Sequence, residues 1–191
     1  MTMSNQFAEA HRSASATFTD RIKGVADWDA PAPVAGWKAR SVVEHLLEWF
    51  PGMLAAGSDV ALPDGPDPKV DLLAAWEHQR DAVQAVLEDP ATQTKTFSNP
   101  MTGDMPLAVM IQNFYTADVF MHTWDLARAT GQDDRLDEAV ATEMLAGMEP
   151  IEPMLRASGQ FGSERGPLRA DADATDRLMS FIGRDPYWSA S

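Results

Sequence analysis

The chain has 191 residues, no cysteine, and a formal net charge of −14 at pH 7, from 15 Lys and Arg residues against 29 Asp and Glu residues. The length predicts one domain over residues 1–191. The acidic balance argues against nucleic-acid and anionic-membrane binding, which need clustered basic residues. Without cysteine there is no disulfide, thiolate ligand or cysteine nucleophile, so any thiol chemistry requires a thiol from outside the chain.

The N-terminal residues lack the basic and apolar regions of a signal peptide. No segment approaches the roughly 20 apolar residues of a membrane span. We therefore expect a cytoplasmic protein with no membrane partner and, from its acidic charge, no nucleic-acid partner. We expect it to be a monomer or a homodimer.

Apolar residues that recur every three or four positions predict helices along most of the chain. These cover residues 5–26, 39–56, 70–87, 106–129, 136–157 and 174–182. Pro51 is expected to kink the second helix or mark a local irregularity in it, Pro150 and Pro153 to interrupt the fifth, and Gly183 to end the last. The segment between the third and fourth helices is expected to be a loop with a short hairpin. The pattern predicts an all-α bundle of antiparallel helices.

The fourth predicted helix carries polar residues on the face that should be buried. Ile111 and Tyr115 begin this stripe, and Asp118, His122 and Asp125 continue it at helical spacing. A buried carboxylate needs a partner. An Asp followed four residues later by His can give a divalent metal one oxygen and one nitrogen.

A third ligand is expected from the second helix, where His45 stands among apolar residues. Together with Asp118 and His122 it would form a set of two nitrogens and one oxygen. Such a set leaves positions open for water or substrate, as catalytic zinc sites do. Glu48 follows one turn after His45 and is a candidate general base or hydrogen-bond acceptor.

Each of these residues also has a simpler interpretation. A lone histidine such as His45 is more often a core residue with a satisfied polar partner. Asp118 and His122 also fit a solvated pair at i,i+4 spacing, and Asp125 also fits an outward pair with Arg128. The spacing alone therefore leaves both interpretations open.

Histidines and tryptophans elsewhere in the chain are expected to have structural roles. His11 and His78 lie in polar runs and are predicted to be exposed. Four tryptophans are predicted to pack in the core or between helices, namely Trp37, Trp49, Trp76 and Trp124.

Several segments resemble one known family, the DinB-like, mycothiol-dependent maleylpyruvate isomerase N-terminal metal-binding superfamily. Its second-helix signature is similar to GWKARSVVEHLLEWFPGML, residues 36–54. Its fourth-helix signature, an acidic residue four positions before a histidine, is similar to FYTADVFMHTWDLARATGQD, residues 114–133. The actinobacterial branch is also similar to the later segments MLRASGQFG and RLMSFIGRDPYW.

The resemblance implies a DinB-like antiparallel four-helix bundle, here with additional short C-terminal helices, that forms a single metal-binding domain. It implies zinc or nickel held by His45, Asp118 and His122. It also implies mycothiol or another low-molecular-weight thiol as a cofactor, and an S-transferase or isomerase reaction on a small electrophilic substrate.

Two features depart from the family pattern. Many of its thiol transferases have a third histidine where this chain has Asp118, and a carboxylate hardens the ligand set. The maleylpyruvate isomerase has an additional C-terminal domain with a catalytic arginine, for which this chain leaves no room. We therefore do not expect activity on maleylpyruvate.

The leading hypothesis is a metal-dependent thiol S-transferase or isomerase. Catalytic support is predicted from Glu48 and from Asp125, which would orient His122. Arg128 is predicted to contact the thiol cofactor, and Arg156 is a further candidate for an anionic group. Two alternatives stay open: a non-catalytic module that binds a metal or small ligand in sensing or stress response, and a purely structural bundle.

Overall fold

Helices dominate residues 3–100 and 103–190, which the computed structural model describes. The all-α prediction is confirmed, and the two short strands form one hairpin. In chain order the elements are α1 (Met3–Lys23), α2 (Ala39–Gly57), α3 (Leu72–Glu88), β1 (Thr96–Asn99), β2 (Gly103–Pro106), α4 (Leu107–Met110), a π-helical segment (Ile111–Thr116), α5 (Ala117–Thr130), α6 (Glu138–Met148), a 3-10 turn (Glu149–Ile151), α7 (Glu152–Ala157) and α8 (Ala174–Phe181).

Helices α1 and α3 pack as antiparallel neighbours. His11 Nδ1, near the start of α1, lies 2.8 Å from Gln84 Oε1, near the end of α3. Further along α1, the indole of Trp76 donates a 2.8 Å hydrogen bond to the Thr19 hydroxyl. Later residues of α1 therefore contact earlier residues of α3, as expected for antiparallel helices.

Helix α2 packs antiparallel to the helical run that ends with α5. The ring of Phe50 stacks on Tyr115 of the π-helical segment with 4.0 Å between centroids. One turn earlier in α2, the imidazole of His45 lies 5.0 Å from that of His122 in α5. This pairing brings the second-helix histidine to the predicted stripe.

Helices α1 and α5 are neighbours that run in the same direction. His11 stacks on Tyr115, and Gln132, just after α5, donates to the Arg21 carbonyl near the end of α1. It follows from the three pairings that α2 and α3 are also parallel. Their connection, residues 58–71, must return along the whole bundle, and a chain of that length spans up to about 46–50 Å when extended.

The helix predicted over residues 106–129 is not one regular α-helix. It begins at Leu107, because Pro106 belongs to β2, and it widens into a π-helix over Ile111–Thr116. A π-helical turn contains an extra residue, so the α-helical register shifts across it. Apolar spacing does not encode such a shift. The polar residues from Asp118 onward lie in regular α-helix again.

Helix α5 is buried on nearly every face, which a stripe pattern does not predict. Val119 and Leu126 belong to the core inside the bundle. Phe120, Met121 and Trp124 belong to a second apolar cluster, together with residues of α6 and α8. The C-terminal helices thus cover the side of α5 that faces away from α2. Its polar residues are therefore enclosed between two cores.

Other predicted boundaries shift by a few residues. Helix α1 ends at Lys23, and α3 begins at Leu72 because the Asp71 side chain caps it by accepting from Ala74 N–H. Val70, which was predicted inside this helix, is 84% exposed. The predicted interruption of the fifth helix is confirmed by the 3-10 turn at Glu149–Ile151. Helix α2 continues through Pro51 to Gly57.

The predicted hairpin is confirmed by the antiparallel pair β1–β2. Phe97 of β1 is fully buried against Gly57, where a Cβ atom would lie only 2.2 Å from the ring. Glycine at this position lets the hairpin close onto the end of α2. Among residues 3–100 and 103–190, no helix combines the length and apolarity that crossing a membrane requires.

Candidate metal centre

His45, Asp118 and His122 meet between α2 and α5. One ligand atom from each lies within 4.8 Å of the others. His45 Nε2 is 3.1 Å from Asp118 Oδ2, and His122 Nε2 is 3.4 Å from Asp118 Oδ1. The structure therefore brings together the three residues that the sequence pattern singled out.

Burial is uneven across the three side chains. His122 is 5% exposed, Asp118 20% and His45 32%. The cluster thus has a closed side at α5 and an accessible side at α2. A small molecule from solvent would approach it from the His45 side.

The carboxylate of Asp118 is held by a further donor. The indole N–H of Trp49 donates a 3.1 Å hydrogen bond to Asp118 Oδ2. Trp49 lies one turn after His45 on α2, so both residues reach the same oxygen. The sequence prediction assigned Trp49 to packing alone and missed this contact, although the i,i+4 spacing to His45 placed both on one face.

The Nδ1 side of His122 contacts a buried ion pair formed by Asp125 and Arg184. Its Nδ1 lies 2.8 Å from Asp125 Oδ2, and Asp125 is fully buried. The guanidinium of Arg184 donates to both carboxylate oxygens of Asp125, at 3.0 and 3.1 Å. Asp125 therefore points inward, and the outward pair with Arg128 does not form. Arg184 follows α8, and no local spacing in the sequence indicates its link to a residue 59 positions earlier.

Charges around His122 set the direction of two pKa shifts. Burial lowers the pKa of His122, but the negative charges of Asp118 and Asp125 outweigh it, and the pKa lies above its ordinary value. Burial raises the pKa of Asp125, whereas His122 and Arg184 lower it, and the net shift is downward. The environment of the cluster therefore favours a positive charge.

Trp37 covers the two imidazoles from the loop before α2. Its ring stacks on His122 at 5.7 Å and lies 5.1 Å from the ring of His45. Gly36, with φ of +80°, occupies the turn closed by the 2.9 Å bond from Trp37 N–H to the Val34 carbonyl. This turn presents the indole to the centre, a placement that the core-packing prediction missed.

A cleft lies between this loop and the C-terminal residues Trp188 and Ser189. Its volume is about 540 Å³, and its lining includes Trp37, Lys38 and Trp188. That volume is within the range of small-molecule sites, about 300–1,000 Å³. Because Trp37 contacts both the cleft and the imidazoles, the cleft and the metal-ligand cluster share a wall.

Two predicted supporting residues lie apart from this network. The Glu48 side chain is exposed and forms no hydrogen bond or ion pair within the described residues. Arg128 forms an ion pair with Asp134, donates a 2.8 Å hydrogen bond to the Pro186 carbonyl, and lies over the Trp124 ring. The catalytic role of Glu48 and the cofactor contact of Arg128 stay predictions.

Arg156, the further anion-binding candidate, is engaged within the C-terminal helices. It pairs with Glu152 at 3.0 Å and donates to the Phe181 carbonyl at 2.7 Å. The contact with Phe181 ties α7 to α8. Within the described structure, Arg156 makes no contact with His45, Asp118 or His122.

The prediction that His11 is exposed is wrong. His11 is fully buried, with its two ring nitrogens next to Gln84 and the Ser15 hydroxyl. Burial lowers its pKa, despite the hydrogen bond that its Nδ1 donates to Gln84 Oε1. Polar neighbours in the chain suggested exposure, but these partners on α1 and α3 let an imidazole occupy the interior. His78 is partly buried beside the returning loop at Gly65.

The tryptophan predictions divide into two pairs. Trp76 and Trp124 are buried in the core, which confirms their predicted packing. Trp37 and Trp49 are partly buried and pack against the bundle core, which also confirms their predicted packing, and in addition they border the candidate centre.

The donor set fits a divalent metal. Two imidazole nitrogens and one carboxylate oxygen are ligands that zinc accepts, and three protein ligands leave a position open. Within the described residues, the ion-pair partners of Asp118 are the imidazoles of His45 and His122, with no Lys or Arg. A partly buried carboxylate with no Lys or Arg beside it is one whose charge a bound cation would neutralise.

Fold and site together define a helical-bundle protein with a candidate metal centre between two of its helices. The chain matches the mycothiol maleylpyruvate isomerase N-terminal domain family over residues 8–127, and it belongs to this family. Two uncharacterized proteins of Mycobacterium tuberculosis, from strains H37Rv and CDC 1551, are each 33% identical over 179 residues, 92% of this chain and 96% of theirs. No solved structure matches the chain.

Proposed function

We propose that the protein is a divalent-metal-dependent enzyme that transfers a low-molecular-weight thiol to a small electrophile, or isomerises such an electrophile with that thiol. The observation that carries this proposal is the cluster of His45, Asp118 and His122, whose ligand atoms lie within 4.8 Å of one another. Zinc or nickel is the expected ion.

The thiol would come from outside, because the chain has no cysteine. Membership of a family named for a mycothiol enzyme supports a thiol of the mycothiol type. A divalent cation held by the three residues would stabilise the negative charge of a thiolate at neutral pH. With a chlorinated aromatic substrate, the thiol would lose its proton to solvent, its sulfur would bond to the ring carbon, and chloride would leave.

The residues around the ligands support this chemistry. Asp125 holds the Nδ1 side of His122, which leaves Nε2 facing Asp118. Trp49 fixes the Asp118 carboxylate through its indole N–H. The Trp37 ring stacks on His122 at 5.7 Å, and the His122 side chain is only 5% exposed. A purely structural bundle would pair Asp118 with an arginine, an arrangement that the described residues do not show.

We expect zinc- or nickel-loaded protein to accelerate the conjugation of a chlorinated aromatic with at least one thiol from a panel of mycothiol, bacillithiol and glutathione. The measurement is chloride release or product absorbance against a protein-free blank. Chelator-treated protein and the His45→Ala variant are the controls, and both should return to the blank rate. Stoichiometric metal with rates equal to the blank for every thiol would contradict turnover and favour the non-catalytic binding module.

The cleft next to Trp37 provides a place for an aromatic part of the electrophile. We expect Trp188→Ala to raise the KM for a chlorinated aromatic by about 2- to 12-fold with kcat unchanged, since one aromatic contact contributes about 0.5–1.5 kcal/mol. Tyr187→Ala is the matched control, because Tyr187 stacks with Arg169 and does not line the cleft. An equal KM in the two variants would count against this placement.

A further inference from the structure

The end of α8 directs the following residue toward α5. Gly183 has φ of +90°, a left-handed conformation that favours glycine. The Gly183 N–H bonds to the Ser180 carbonyl at 3.0 Å, and the Arg184 N–H bonds to the Met179 carbonyl at 2.8 Å. These two bonds form a Schellman motif. The motif turns the chain sharply after α8 and fixes the backbone position of Arg184.

The space around Gly183 does not admit a residue with a side chain at this turn. A Cβ atom there would lie 2.6 Å from the Gly162 Cα atom. Two glycines thus allow two backbone segments to touch. The position of Arg184 is therefore determined by backbone packing as well as by its own side chain.

The guanidinium of Arg184 forms a fork on Asp125. Its Nε lies 3.0 Å from Oδ1 and its Nη2 lies 3.1 Å from Oδ2. The second of these oxygens is also the partner of His122 Nδ1, at 2.8 Å. The fork therefore holds the carboxylate at both oxygens and fixes the oxygen that His122 uses. An arginine is suited to this because its donors are planar and paired, whereas a lysine offers a single point charge.

We propose that Arg184 is a positioning residue of the metal centre. It holds Asp125 so that the Nδ1 side of His122 is occupied and Nε2 faces the metal position beside Asp118. This inference rests on the proposed function, because it requires that His122 binds a metal. It extends the centre beyond residues 8–127, the part of the chain that matches the family, and includes the C-terminal segment in it.

The central test is the affinity of the purified protein for Zn²⁺, measured by competition with a chromophoric chelator. We expect Arg184→Lys, which keeps the charge and removes the fork, to bind Zn²⁺ about 10- to 100-fold more weakly, the usual effect of losing a residue that orients a ligand. Arg177→Lys is the control, because Arg177 on α8 donates to the Ala172 carbonyl and not to Asp125. Its affinity should equal that of the wild type.

A second variant shifts the backbone at Arg184 and leaves the arginine side chain itself unchanged. Gly183→Ala should weaken Zn²⁺ binding in the same direction, because the added Cβ meets Gly162 and displaces the turn. The spectroscopic readout is the imidazole of His122 in Zn²⁺-saturated protein, followed by ¹⁵N–¹H NMR. In the wild type, Nδ1 should carry a proton that exchanges slowly with water, and in Arg184→Lys that exchange should be faster.

The outcomes separate this inference from the proposed function. A wild type that binds no Zn²⁺ overturns both. A wild type that binds Zn²⁺ while Arg184→Lys binds it equally well, with unchanged Nδ1 exchange, overturns the role of Arg184 alone. If both variants fail to fold, Arg184→Gln takes their place: weaker Zn²⁺ binding with faster Nδ1 exchange than in the wild type supports the role, and unchanged values overturn it.

Discussion

Replacement of His122 by alanine is expected to abolish stoichiometric zinc or nickel binding. His122 is the most buried of the three ligands, and its loss leaves one imidazole and one carboxylate. Loss of a residue that merely orients a ligand already costs about 10- to 100-fold in affinity, so loss of a ligand should exceed about 100-fold. His45→Ala is expected to have the same effect. The measurement is metal content by mass spectrometry after purification without an affinity tag.

The matched control for this experiment is His78→Ala. His78 is a histidine of α3 outside the cluster, so its replacement should leave the metal content unchanged. Asp118→His is an informative companion, because it exchanges the candidate oxygen ligand for a third imidazole and removes the carboxylate that accepts the Trp49 hydrogen bond. Equal metal content in wild type, His45→Ala and His122→Ala would falsify the proposed centre.

The second large effect concerns stability. Trp76→Ala is expected to lower the free energy of unfolding by about 3–5 kcal/mol, the usual cost of deleting a buried tryptophan. Trp76 is fully buried, packs edge-on against Phe18 at 4.7 Å, and donates its indole N–H to Thr19. Its removal leaves a cavity between α1 and α3 and a buried hydroxyl without this donor. Urea denaturation followed by circular dichroism gives the difference.

Val70→Ala serves as the comparison for Trp76→Ala. Val70 is 84% exposed in the loop before α3, so its truncation should change stability by at most about 0.5 kcal/mol. A loss below about 1 kcal/mol in Trp76→Ala would contradict the packing described for α1 and α3. The slope of the denaturation curve should match the wild type, because the buried surface is otherwise similar.

Much of the fold could be predicted because helical periodicity is a local property. The apolar stripes of α1, α2 and α3 place these helices to within a few residues. The π-helical segment at Ile111–Thr116 was not predictable in this way, because it shifts the register without changing the residue types. The parallel arrangement of α2 and α3 was equally hidden, since it depends on the path of the connection at residues 58–71.

The candidate ligand cluster was predictable for a similar reason, and its supporting residues were not. Asp118 and His122 lie one turn apart on one helix, so their proximity follows from helical geometry alone. Trp37 and Arg184 reach the same site from a loop and from the end of α8. No periodicity connects them to α5, so only the tertiary structure reveals them.

The distances along the chain between the partners of this centre have a consequence for folding. His45 and Asp118 are separated by 73 positions, and Asp125 and Arg184 by 59. Closing loops of that size costs chain entropy before any contact repays it. The cluster of His45, Asp118 and His122, with Arg184 behind it, therefore does not form until the bundle and the C-terminal segment have both docked. In the proposed centre, metal uptake would be a late event in folding, and a bound ion would add to stability only in the completed native state.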